Sequence, residues 1–303
     1  MKQISKLLIA YDGSPCSDAA LYDLRYAGLP ATLEAVVVTV AFVFLPPEVG
    51  APDDLLSPSL AEMIRPAQAH AEEAVRQALE IAERGAQRAR SDFPGWTVRS
   101  EADGDSPAWG VIKLADRFAV DLIVLGSHGH SSVGGRLILG SVSQRVLYEA
   151  QCSVRVARCS AQTDGPRPVR IVIGFDGSES AKALFDVIAS RVWPEGSEVR
   201  VIVTDNSLMP AIGSVVAKVR SAGLSISEVY SDSDPATALL KEAEEWRADS
   251  IFLGASDVHG IQHILRGSVS SAVAANARCS VEVVRRSRED LENNLLRSPM
   301  HVG

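Results

Sequence analysis

The chain has 303 residues, 46% of them hydrophobic and 22% charged, with a formal net charge of -8. That balance suits a globular protein, offers no basic footprint for nucleic acid, and at roughly 100–200 residues per domain makes two domains the first expectation. No apolar run approaches the roughly 18 residues of a membrane span, and MKQISKLLIAYDGS lacks the core and cleavage site of a signal peptide, so a reduced, cytoplasmic protein is expected.

In chain order, KLLIAY is a short apolar run that stops at Asp-Gly-Ser. SDAALYDLRYAG follows with helical spacing, Ser17 as its expected N-cap and Gly28 as its stop. EAVVVTVAFVF is β-branched and continuous, as in a parallel strand covered on both faces. AEMIRPAQAHAEEAVRQALEIAERGAQRA reads as a long helix that Pro66 bends or interrupts near its start. WTVRSEA is a strand, PAWGVIKLADRFA a helix with Pro107 in its first turn, DLIVLG a strand, SVSQRVLYEA a helix and SVRVAR a last strand. Such alternation implies a parallel α/β sheet with right-handed crossovers.

The pattern then repeats. KLLIAYDGSPCSDAAL (6–21) matches RIVIGFDGSESAKALF (170–185), and DLIVLGSHG (121–129) matches DSIFLGASD (249–257). LGSVSQRV (139–146) matches RGSVSSAV (266–273), and QCSVRVAR (151–158) matches RCSVEVVR (278–285). Four blocks in one order indicate a duplicated domain. The domains are placed at 1–159 and 168–287, joined by the turn-rich SAQTDGPRP, with a charged tail over 288–303. The first copy is longer, and its extra residues are expected in FLPPEVGAPDDLLSPSLAEMIRP and the helix after it.

In open α/β sheets, ligands bind beyond the carboxyl ends of the strands. LGSHGHSSVGGRLILGS (125–141) sits at such an end. Gly126 closes a strand, and Gly140 and Ser141 open a helix whose first amides favour an anion. Glycines let a phosphate approach the backbone, Ser141 and Ser143 add hydroxyls, and Asp12 can accept hydrogen bonds from a ribose or base. No Gly-Lys-Ser/Thr ends the loop, and no GxGxxG follows the first strand. A phosphate site and a plain connector both remain open on these residues alone.

IAYDGS, DLIVLGSHG and LGSVSQRVL together resemble the universal stress protein family, over roughly 3–158 and 168–286. The resemblance implies two doubly wound α/β domains, each a five-stranded parallel sheet with helices on both faces. It implies ATP; nucleotide phosphates usually carry Mg2+, which Asp12 could contact. Asp12 would contact ribose or adenine and Val40 the adenine; Gly126, Gly129, Gly140, Ser141, Val142 and Ser143 would hold ribose and phosphates. It also implies an internal pseudo-dimer through SVRVAR and SVEVVR, further homo-oligomerisation and a stress-response regulator; with no catalytic base or arginine finger to name in the sequence, ATP hydrolysis is expected to be at most slow. The alternatives are a nucleotide-free scaffold or signalling partner of the same fold, and an adenylyl-transfer enzyme.

The family's loop runs Gly, two residues, Gly, nine residues, Gly-Ser/Thr. The first copy has ten residues between Gly129 and Gly140. The second keeps nine but has Asp257 where the second glycine belongs, and its match to Val40 is read as Asp205. A carboxylate beside phosphates repels them, so ATP is expected in the first domain and weakly or not at all in the second. His128 with His130, and His259 with His263, are read as loop or surface residues rather than metal ligands. Cys152 and Cys279 are read as packing residues, Cys16 as packing with a reactive thiol as the alternative, and Asp103, Asp105, Asp232 and Asp234 as caps or turn residues.

Overall fold

The structure, a computed structural model, describes residues 3–43, 58–129, 139–158, 165, 167–255 and 268–285. The first domain runs β1 (Lys6–Ala10), α1 (Pro15–Asp23), β2 (Glu34–Phe42), α2 (Pro58–Asp92), β3 (Thr97–Asp105), α3 (Pro107–Phe118), β4 (Leu122–Gly126), α4 (Ser141–Glu149) and β5 (Ser153–Ala157). The second repeats it as β6 (Arg170–Gly174), α5 (Glu179–Ser190), β7 (Glu198–Val203), α6 (Met209–Ser221), β8 (Ser225–Tyr230), α7 (Pro235–Glu245), β9 (Ser250–Gly254), α8 (Ser268–Asn276) and β10 (Ser280–Val284).

The strands form one ten-stranded sheet in the order β3-β2-β1-β4-β5-β10-β9-β6-β7-β8. Within each five-stranded half the pairing is parallel; β5 and β10 join the halves antiparallel, with Arg155 opposite Glu282. The continuous apolar strands are explained by burial on both faces. Leu7 and Ile9 face a cluster with Leu21, Leu24 and Ala86, whereas Leu8 between them joins Val36, Leu114 and Leu147 on the other side. That second cluster continues into Ile251, Val281 and Val283, so one apolar layer serves both domains.

Three local expectations change. Ser14, not Ser17, caps α1: its Oγ accepts from Ser17 N at 3.2 Å, while Ser17 Oγ donates to the Ser14 carbonyl. Proline at position 15 suits the first helical turn and moves the start forward. Helix α2 runs through Pro66, so the proline does not interrupt it. Asp103 and Asp105 close β3 just before α3, as expected, but Ser106 is the N-cap of that helix and the two carboxylates pair with Lys113 at 3.1 and 3.8 Å instead. Asp234 does cap α7, accepting from Ala236 N and Thr237 N at 3.1 Å each.

The seam between the halves carries charge. Arg155 is fully buried and its Nε donates to Asp23 Oδ2 at 2.6 Å. Its Nη1 donates to Glu282 Oε2 at 3.3 Å, and Glu282, also fully buried, accepts from Arg191. Burial alone would push the Arg155 guanidinium down, but Asp23 and Glu282 outweigh it and hold it above its ordinary range. Arg158 and Arg285, in equivalent places, each cross the seam to the other domain's last helix, at Ala274 O and Leu147 O.

Cys152 and Cys279 are free thiols pushed up to about 12, in each case mainly by burial. Both should stay protonated at pH 8. A disulfide reagent at that pH is expected to modify them far more slowly in the native protein than in guanidinium, and equal rates would show them accessible.

Candidate functional site

In the first domain's half of the sheet the chain order reverses between β1 and β4, which opens a crevice at their carboxyl ends. Asp12 and Gly126 stand on its two sides. Asp12 follows β1 in a tight turn: Gly13 takes φ +77°, where glycine is favoured, and Ser14 N donates to Asp12 Oδ1 at 3.0 Å. Across the crevice, a Cβ on Gly126 would lie 2.8 Å from the backbone carbon and oxygen of Cys16, so β4 passes directly over the start of α1. A Cβ on Gly129 would lie 2.6 Å from Asp12 Oδ2. Glycine at 129 therefore lets the loop lie against the carboxylate that closes the first strand.

The loop returns at Gly140, whose N donates to Ser127 O at 2.7 Å. Gly140 is the N-cap of α4, and it supplies no side-chain cap to the first-turn amides of Ser141, Val142 and Ser143. Helix α1, by contrast, is capped by Ser14. Uncapped amides at a helix start are donors for an anion. Ser143 is buried and its Oγ donates to Gly126 O at 2.8 Å, so it locks the helix to the strand end. Val40 packs on α3, where a Cβ on Gly110 would lie 2.6 Å from its Cγ1. Val40 and Val142 both border the same apolar cluster, which leaves an apolar wall beside polar loops.

His128 has its Nε2 3.2 Å from Cys16 Sγ and its Nδ1 3.1 Å from Ser127 Oγ. Cys16 is disulfide-bonded, which overturns both a free reactive thiol at this helix start and a fully reduced chain. His130, Asp257, His259, His263 and Gly267 lie outside the described residues.

The second domain has the matching crevice between β6 and β9. A cavity of about 230 Å³ lies there, with Asp176 and Gly254 on its sides and Phe175, Ile202, Leu239 and Leu253 among its walls. The match of Val40 to Asp205 is wrong. Tyr11 N bonds Val38 O and Phe175 N bonds Ile202 O in the same way, so Val40 corresponds to Thr204. Thr204 lines the cavity, whereas Asp205 caps the next turn by accepting from Ser207 N at 2.9 Å. Gly254 keeps the close approach, since its Cβ would lie 2.8 Å from the Ser180 carbonyl carbon.

A family model described as the universal stress protein family matches residues 3–158 and again 169–285. The chain belongs to the universal stress protein family. It does so as a tandem, with both domains matched. A universal stress protein of Mycolicibacterium smegmatis is 28% identical over 300 residues, covering 92% of this chain and 96% of the relative. One from Mycobacterium tuberculosis is 26% identical over 211 residues, covering 63% and 70%. Among solved structures, a universal stress protein from Archaeoglobus fulgidus aligns with TM-score 0.60 at 20% identity, over 95% of this chain and 98% of its own. A functionally unknown protein from Pseudomonas aeruginosa aligns with TM-score 0.54 at 16% identity, over 97% and 96%. These last two bear on the fold alone. No helix among the described residues is long and apolar enough to cross a membrane.

The sequence reading missed Asp23, Arg155, Arg191 and Glu282. One signal was present: the matched blocks SVRVAR and SVEVVR carry opposite charges at one position.

Proposed function

We propose that the first domain binds ATP and that the chain is a regulatory protein of the stress response, with the nucleotide as a bound ligand that holds a conformation. The carrying observation is the glycine backbone at 129 against Asp12, opposite a helix start without a side-chain cap. A bulkier loop residue would fill the space that a ribose or phosphate needs. In this reading Asp12 meets the ribose or adenine and Val40 the adenine. Gly126, Gly129 and Gly140 give backbone access, and the amides of Ser141, Val142 and Ser143 face the phosphates. Mg2+ accompanies those phosphates and adds charge neutralisation. Hydrolysis is slow, because the reading assigns no residue to activate water.

The second domain is the weaker site. Thr204 removes one objection to it, but Asp257 still puts a carboxylate where the first loop has its second glycine. Calorimetric titration with Mg-ATP is expected to show one strong site per chain, weakened by Gly140→Ala and unaffected by Gly267→Ala. Equal losses from the two substitutions would overturn the asymmetry. Absence of any binding, with no nucleotide released on denaturation, would favour the scaffold reading.

A further inference from the structure

We propose that the cavity between the two domains binds a small phosphate-bearing polyanion, separately from the nucleotide site. The cavity measures about 650 Å³ and lies at the amino ends of the second domain's strands, where Arg170 and Glu198 begin β6 and β7. Helix α1 of the first domain closes its other side with Tyr22 and Asp23. Gly174 and Gly254, which mark the second domain's nucleotide crevice, lie at the opposite ends of the same strands.

Its lining is rich in cations, with five arginines against three carboxylates. Asp249 is engaged by both ends of the Arg167 guanidinium, which removes one cation and one anion from that balance, and Asp23 is engaged by Arg155, leaving four arginines and Glu198. Arg158 decides the matter. It is 5% exposed, its Nε is buried without a hydrogen-bond partner, and its Nη2 donates to the Ala274 carbonyl. Burial lowers its pKa, and only the Cys279 thiol, not a carboxylate, acts against that. A carbonyl oxygen satisfies a donor but cannot neutralise a buried positive charge, which is costly to leave unpaired.

The equivalent arginine, Arg285, likewise has its pKa lowered by burial with no carboxylate against it, and differs from Arg158 at the Nε. Arg285 donates to Cys152 O and Leu147 O, and its Nε is not among the unsatisfied buried atoms. Arg158 therefore keeps an unmet donor beyond its helix contact, and although that Nε is itself covered, the side chain lines the cavity. Two exposed arginines complete the lining: Arg278, which also pairs with Glu244 at 2.9 Å, and Arg247, held in the left-handed region at φ 54°. Planar guanidinium forks converging from several directions match the oxygens of phosphate better than those of a single carboxylate. A ligand there would touch both domains and tie them together.

Inorganic pyrophosphate is the probe. Wild-type protein is expected to bind it in calorimetry and to melt at higher temperature with it, as any ligand of the folded state requires. The exposed double variant Arg247→Gln/Arg278→Gln, which leaves the seam intact, should weaken binding at least about tenfold. Arg158→Gln should abolish it, and the double variant decides the question if that protein does not fold. Gly129→Ala, which alters the ATP loop, should leave pyrophosphate binding unchanged. Binding lost in Gly129→Ala but kept in both arginine variants would place the anion in the nucleotide loop and overturn the proposal. No binding at millimolar pyrophosphate would overturn it as well.

Discussion

Glu282→Gln is expected to destabilise the protein by about 3–5 kcal/mol, the cost of removing one partner from a buried ion pair. Glu282 is fully buried and meets two guanidinium groups, with Arg155 Nη1 at 3.3 Å and Arg191 Nη1 at 3.1 Å. Glutamine keeps the shape but turns an amide toward one of them and withdraws the negative charge. Asp23 would still pair with Arg155, and Arg191 would be left with no carboxylate partner among the described residues. Urea denaturation followed by fluorescence reads the loss, and a change below about 1 kcal/mol would show the seam to be solvated.

A charge swap sharpens this prediction. If Arg155 and Glu282 formed an isolated pair, Arg155→Glu with Glu282→Arg would restore much of the stability. Here the four charges alternate as Asp23, Arg155, Glu282 and Arg191. The swap would put a glutamate against Asp23 and an arginine against Arg191. The double variant is therefore expected to be no more stable than the single ones, and recovery would contradict the four-member network.

Gly126→Ala is expected to weaken ATP binding at least about tenfold, while Gly254→Ala leaves it nearly unchanged. Both glycines face the same steric problem, with a Cβ 2.8 Å from backbone atoms of Cys16 or Ser180. Backbone cannot swing aside as a side chain does, so β4 or α1 must shift in the first case and β9 or α5 in the second. Only the first shift moves the loop that carries Gly129 past Asp12. Titration of both variants with Mg-ATP separates the domains, with their melting curves recorded as a check on folding. Equal loss in both would place nucleotide in both crevices.

Much of the fold was legible because local rules act over few residues. The apolar runs KLLIA and LIVLG become β1 and β4, and the glycines after them end strands where expected. The site was legible in the same way, since Asp12, Gly126 and Gly140 each mark a strand end or a helix start. Errors arose where competing local signals lay close together. Ser14 and Ser17 both suit a cap, and proline at 15 decides between them. Thr204 and Asp205 are adjacent, and only the strand register shows which one matches Val40.

The amino-acid order by itself determined a duplicated α/β unit, its strand and helix periods, and a glycine loop at a strand end, because those properties follow from neighbours within a turn or a pleat. The tertiary structure alone decided what happens between the copies. Arg155 meets Glu282 across 127 positions, and Asp23 accepts from Ser280 across 257. The cavity with Arg158 exists only once the two last strands pair. A buried charge is stable only beside its counter-charge, and that proximity is a property of the packed chain rather than of any segment in it.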